Sequence, residues 1–166
     1  MIKVENLTKK FETITAVENI SFDINESEIF GFLGPNGAGK TTTIRMLSTL
    51  ISQTSGTITI DNRSPESDGE YIRSITGLLT ESPGMYEKIS AYANLEYYSR
   101  FYNIPGIRRK DNIEKYLKMF NLWDRKDDLV GTYSKGMKQK LALARALIHE
   151  SKILFLDEPT AGLDPE

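Results

Sequence analysis

The chain of 166 residues contains no cysteine, which excludes disulfides and thiolate metal sites and fits a reducing cytosol. No apolar run approaches the roughly 20 residues needed to cross a bilayer. The opening MIKVENLTKK has no secretory hydrophobic region. The expectation is a soluble protein that reaches a membrane only through a partner. An excess of one charge is missing as well. Lys and Arg number 21 against 23 Asp and Glu, so the net charge of −2 offers no general attraction to nucleic acid or anionic lipid. Internal repeats and low-complexity tracts are absent. What remains is an ordinary globular composition, 39% hydrophobic and 27% charged, in a length that suits one domain with a core and a small attached subdomain.

Hydrophobic periodicity divides the chain. Ile2 and Val4 alternate with Lys3 and Glu5, and Ile20, Phe22 and Ile24 alternate with Ser21, Asp23 and Asn25. That period of two predicts strands with one wet face in an antiparallel sheet, which GTITID (56–61) rejoins. IFGFL (29–33) and KILFLD (152–157) are continuous apolar runs, expected as central parallel strands buried on both faces. Three helices are expected between them. One spans Ser90 to Ile104, with Ser90 as N-cap and Pro105-Gly106 as the stop. The second runs from about Asp111 to Phe120 with Ile113, Leu117 and Phe120 on one face. The third starts near Ser134 and aligns Met137, Leu141, Ala144 and Ile148. The whole reads as an α/β core interrupted by a helical insertion at roughly 83–133.

One loop points to chemistry. Gly34, four residues, then Gly39-Lys40-Thr41 fits the phosphate-loop pattern. Glycines let backbone N–H groups turn toward a phosphate, and the helix opening at Gly39 aims its unpaired N–H groups at the same anion. Lys40 would reach the β- and γ-phosphates, and the Thr41 hydroxyl would ligate Mg²⁺. A second site follows: KILFLDEP delivers Asp157 and Glu158 to the C-terminal edge of a strand. Asp157 is placed to hold the water shell of Mg²⁺, and Glu158 to orient and deprotonate an attacking water. Ser134 and Gly136 sit at a helix start, another anion-binding geometry. One nucleotide needs only one such site in a compact domain, so a second makes sense if it serves the nucleotide of another copy.

Together these motifs resemble the nucleotide-binding domain of ABC transporters. GPNGAGKTT is similar to Walker A, YSKGM to the signature motif, ILFLDEP to Walker B and AGLD to the D-loop, in matching order and spacing. The likeness covers essentially the whole chain. The SKGMKQ and DEPTAGLDP wording is most similar to ATPase subunits of bacterial or archaeal drug, antibiotic or sodium exporters. The resemblance implies a P-loop NTPase (RecA-like) core with an antiparallel β subdomain and an inserted helical subdomain. It implies ATP and Mg²⁺ as cofactors and an ATP-hydrolysing role. The implied partners are a transmembrane permease subunit and a second copy bound head to tail, with no direct nucleic acid. The implied location is the inner face of the cell membrane, on the cytoplasmic side. Residue by residue, Gly34, Asn36, Gly37, Ala38, Gly39, Lys40, Thr41 and Thr42 would hold the phosphates, and Phe11 would stack on adenine. Ser134 and Gly136 would contact the γ-phosphate held by the opposite copy, and Asp164 would lie across the dimer interface.

Three departures from the family pattern stand out. Glu81 occupies the position of the usual Q-loop glutamine; as a carboxylate it can ligand Mg²⁺ or water and join the catalytic set, but it adds negative charge beside the phosphates. Tyr133, Lys135 and Met137 replace the signature's usual leucine, glycine and glutamine. Lys135 either attracts the neighbouring γ-phosphate or is simply solvated. The chain also ends at Glu166, just after the D-loop. The family continues with further strands, one of them lying between the Walker B and P-loop strands, and with a switch histidine. His149 precedes Walker B, cannot fill that role, and is expected to be a surface residue. The chain is therefore expected to be a fragment lacking C-terminal strands, with two strands facing an unfilled gap.

The aromatic residues Tyr92, Tyr97, Tyr98, Phe101 and Tyr102 are expected to form helical core plus a docking face. The resemblance places the permease contact near Met85, Tyr86 and Tyr97. Two alternatives stay open: a soluble ABC-type ATPase acting on nucleic acid or ribosomes, and a nucleotide-binding module without catalysis. A small GTPase is disfavoured because no NKxD motif exists.

Overall fold

The computed structural model describes residues 2–80 and 84–158, and they fall into two compact units, up to Arg73 and from Ser74. Glu81 and Asp164 lie outside the described residues.

The first unit is built on a three-stranded antiparallel sheet in the order β2-β1-β3, with β1 at Ile2–Phe11, β2 at Ile14–Ile24 and β3 at Ser55–Ile60. The alternation read from the sequence sets its register. Ile2 pairs with Ile24 on one side and Ile60 on the other, and Val4 with Phe22 and Ile58. Ile2, Val4, Ile58 and Ile60 are buried, while Lys3 and Glu5 face water and form an ion pair at 2.8 Å. Helix α1 (Lys40–Leu47) buries Ile44, Met46 and Leu47. Each such side chain contributes about 1.5–3 kcal/mol when fully buried. Helix α2 (Pro65–Ile75), which the sequence reading did not anticipate, kinks at Asp68.

The segment 29–33 departs from expectation. It forms no strand, and Ile29 and Leu33 are almost fully exposed. A continuous apolar run becomes a central strand only when neighbours take up its backbone N–H and C=O groups on both sides. No described strand pairs with it. Its remaining order comes from side chains on one side. Phe30 stacks on Phe22 of β2 at 5.3 Å between ring centroids, and Phe32 meets both rings edge-on at 5.2 and 5.1 Å.

The second unit holds a parallel pair, β4 (Thr76–Leu79) and β5 (Ile153–Leu156), in register from Thr76↔Ile153 to Leu79↔Leu156. β5 is the expected Walker B strand, but it is buried on one face only. Phe155 is buried, whereas Leu154 and Leu156 remain over a third exposed, because β4 is its one described neighbour. Helices α3 (Ala91–Phe101), α4 (Gly106–Met119) and α5 (Lys135–Leu147) pack a core of Leu95, Ile113, Leu117, Leu122, Leu141 and Ile148. Ser90 caps α3 as expected, its hydroxyl accepting from the Ala93 N–H at 3.1 Å. α4 starts five residues earlier than the sequence reading placed it. Pro105, expected to end one helix, is the N-cap of the next, a place where its missing N–H costs nothing. The end of α5 lies against β4, where a Cβ on Gly77 would stand 2.1 Å from the Ala146 carbonyl oxygen. Only glycine permits that approach.

Candidate functional site: a phosphate loop and an acidic strand end

The phosphate loop belongs to the first unit. Gly37 and Gly39 adopt left-handed φ values of 84° and 85°. Gly39 is also pressed against β2, since an added Cβ would lie 2.4 Å from the Ala16 carbonyl oxygen. That contact fixes where α1 begins. The helix has no side-chain cap and no acidic residue in its first turn. Its positive dipole end therefore meets no carboxylate of its own first turn, which favours an anion there. Lys40 turns back over the loop and donates from Nζ to the Gly34 and Pro35 carbonyls at 2.7 and 2.9 Å. The ammonium thus rests at the loop itself, held by neutral acceptors. A phosphate oxygen offers a stronger, charge-assisted partner for the same donors.

Asn36, Gly37 and Ala38 form the exposed crest, turned by the Ala38 N–H to Pro35 carbonyl bond at 3.2 Å. Thr41 and Thr42 are half-buried in the first turn of α1, and the buried Thr43 hydroxyl bonds back to the Gly39 carbonyl at 2.9 Å. Phe11 ends β1 beside the hairpin turn and is 46% exposed. The Lys9 ammonium lies 4.8 Å from its ring centroid. The two-residue spacing of Lys9 from Phe11 shows in the sequence, but the bond from Lys9 to the Ser52 carbonyl does not.

The second unit carries the other candidate groups. Asp157 directly follows β5, is 7% exposed, and its N–H donates to the Leu79 carbonyl at 2.9 Å. Glu158 next to it is exposed and left-handed, with φ of 52°. That conformation costs an L-residue about 1–2 kcal/mol. Ser134 is the N-cap of α5, its hydroxyl accepting from the Met137 N–H at 3.2 Å; Ser134 and Lys135 are exposed and Gly136 lies in the first turn. Tyr133, in the signature's leucine position, is buried and donates to the Arg125 carbonyl at 2.7 Å. Burial raises its phenol pKa. The substitution is therefore a core choice, with the hydroxyl satisfied.

Among the described residues, no cluster of three or more His, Cys, Asp or Glu could hold a metal by itself. Taken separately, Thr41 in the first turn of α1 and Asp157 just after β5 each carry an oxygen donor of the kind Mg²⁺ takes.

His149 is not the surface residue expected. Its ring stacks on Tyr102 at 3.8 Å with 3° between planes, and Nε2 lies 3.0 Å from the Thr76 carbonyl. The carbonyl can only accept, so Nε2 carries the proton, and Nδ1 is buried without a partner. Burial lowers the pKa of the ring. The aromatic residues of α3 divide as well. Tyr92 packs against the core, as does Met85 before the helix. Tyr86, Tyr97 and Phe101 form an exposed ladder with successive centroids 5.1 Å apart.

Residues 17–161 match the family described as ABC transporter. The chain is 43% identical to the uncharacterised ABC transporter ATP-binding protein YhcH of Bacillus subtilis (strain 168), over 99% of this chain and 53% of that protein. It is 42% identical to the bacitracin transport ATP-binding protein BcrA of Bacillus licheniformis, again over 99% of this chain and 53% of the relative. The chain therefore spans about half the length of these curated relatives. Among solved structures it is similar to an ATP-binding cassette in a dimeric post-hydrolysis state bound to ADP and Pi. The TM-score there is 0.88 at 28% identity, over 99% of this chain and 76% of the other.

Proposed function

The chain belongs to the ABC transporter family of ATP-binding proteins, and we propose that it binds and hydrolyses ATP to power a membrane exporter. The observation that carries this reading is the phosphate loop. Two left-handed glycines, an uncapped helix start and the Lys40 ammonium lie together. In this reading Lys40 exchanges its loop carbonyls for the β- and γ-phosphates, and Thr42 donates its hydroxyl to the α-phosphate. Thr41, Asp157 and Glu81 would hold Mg²⁺, which when bound spreads the phosphate charge. Phe11 stacks on adenine. Glu158, exposed just after β5, accepts the proton of the attacking water.

Ser134 and Gly136 of a second copy contact the γ-phosphate, so ATP is sandwiched head to tail and Asp164 lies at that interface. The dimeric state of the similar ATP-binding cassette supports this arrangement. No described helix is long and apolar enough to cross a membrane. A permease subunit is the proposed membrane partner, and the aromatic ladder around Tyr86 and Tyr97 is its proposed contact. The helical subdomain, about 83–133, would carry that contact, and the protein would work at the inner face of the cell membrane. The relative named for bacitracin transport favours small-molecule efflux as the work done.

The test is Glu158→Gln. MgATP binding is retained, ATP-dependent dimers accumulate in sedimentation, and phosphate release drops to background. Turnover unchanged from the native chain would remove Glu158 from the reaction. A second reading, nucleotide binding without catalysis, is favoured by segment 29–33, which forms no strand before the loop and leaves Ile29 and Leu33 exposed. Phosphate release from MgATP by the native chain separates the two.

A further inference from the structure

The geometry points to Lys9 as the residue that positions the Phe11 ring for base stacking, an inference that rests on the adenine-binding role given to Phe11 above. Phe11 lies at the end of β1 next to the hairpin turn, where an aromatic side chain that is 46% exposed has little to hold it. Lys9 supplies the hold. Its ammonium sits 4.8 Å from the ring centroid and donates to the Ser52 carbonyl at 2.7 Å.

Residues 52–54 are themselves tied to β1. The Thr54 hydroxyl accepts from the Lys10 N–H at 2.9 Å, and the Thr54 N–H donates to the Thr8 carbonyl at 2.9 Å. The cation is therefore braced against backbone rather than left on a free four-carbon stem. The ammonium lies over one face of a ring that remains 46% exposed. Two consequences follow for a purine arriving there. The ring has already lost rotamer freedom, so stacking costs less entropy. The ammonium also draws π density toward itself, which reduces repulsion between the ring and the electron cloud of a stacked base.

Lys9 does not touch the nucleotide in this account, so its signature is a loss confined to the base. The experiment is calorimetric titration of the chain with MgATP and, separately, with magnesium tripolyphosphate, which lacks adenine and ribose. Lys9→Met raises the Kd for MgATP about three- to fivefold, the range of an exposed cation–π contact. It leaves the affinity for tripolyphosphate unchanged. Lys9→Arg keeps both ligands within about twofold of the native chain, because guanidinium preserves charge and donor. Lys9→Gln retains an N–H donor for Ser52 without the cation, behaves as Lys9→Met, and provides the measurement if Lys9→Met fails to fold. In a Phe11→Leu background, Lys9→Met has no further effect.

Equal losses for ATP and tripolyphosphate would overturn the inference, since Lys9 would then act through its charge or through the fold. A loss of ATP affinity that persists in the Phe11→Leu background would overturn it too. If Phe11→Leu weakens MgATP and Lys9→Met does not, the role of Lys9 alone fails. If Phe11→Leu changes nothing, adenine stacking by Phe11 fails and the inference with it.

Discussion

Gly37 and Gly39 offer a controlled comparison inside one loop. Their φ values are nearly identical, 84° and 85°. An added Cβ at Gly37 meets nothing within 4 Å, whereas at Gly39 it meets the Ala16 carbonyl oxygen at 2.4 Å and the Val17 Cγ2 at 2.9 Å. Alanine at either position is forced into the left-handed region, at about 1–2 kcal/mol. Both substitutions stiffen the unfolded chain alike, worth about 0.4–1 kcal/mol, so that contribution cancels between them. Gly39→Ala alone must also push a methyl group into the backbone of β2, an overpacking of about 1–3 kcal/mol. Urea unfolding followed by circular dichroism should therefore place Gly39→Ala about 1–3 kcal/mol below Gly37→Ala. Equal stability, to within about 0.5 kcal/mol, would refute the claim that the contact with β2 sets the start of α1.

Other perturbations probe the second unit. The buried Asn94 amide accepts from the Tyr86 N–H at 2.9 Å and donates to the Tyr86 and Ser90 carbonyls, each at 2.9 Å. Asn94→Ala should cost about 2–4 kcal/mol in urea unfolding, at roughly 1 kcal/mol per bond plus the penalty for groups left unpaired; a cost under about 1 kcal/mol would mean water replaces the amide. His149 is held neutral by burial. Its folded pKa lies below the unfolded value, so the unfolded chain binds the proton more readily, and the stability it contributes above pH ~6.5 is lost as pH falls below that point. The thermal midpoint should drop between pH 7.5 and 5.5 more steeply for the native chain than for His149→Phe, which keeps an aromatic ring beside Tyr102. Parallel curves would show that the ring does not titrate in the folded state as its burial requires.

Local patterns were the most legible part of the sequence. The alternation of Ile2 and Val4 against Lys3 and Glu5 translated directly into a register, because one wet face leaves a strand a single way to lie. Ser90 was readable as a helix cap and Ser134 as the neighbourhood of a helix start for the same local reason: the bond each makes spans three residues. The phosphate loop was readable because its function depends on backbone shape that only glycine at set spacings allows.

What the sequence hid depends on partners distant along the chain. IFGFL carries the composition of a central strand, yet composition does not supply the neighbours that would make it one. The strand Thr76–Leu79 is too short to announce itself and exists through its pairing with β5. His149 looked solvated until α3 placed Tyr102 over it and β4 placed the Thr76 carbonyl against it. In the candidate site, Lys40 and Gly39 were legible and Lys9 was not, because its role comes from Ser52, which lies 43 residues away.

In the proposed function the loop from Gly34 to Thr41 binds the phosphates of ATP through Lys40. Calorimetric titration of the chain with MgATP, beside Lys40→Ala, tests it most directly. Saturable binding by the native chain, weakened about tenfold or more in Lys40→Ala by loss of a charge-assisted contact, is the result predicted. Binding that is equal in the two, or absent from a native chain still folded by circular dichroism, would contradict the account.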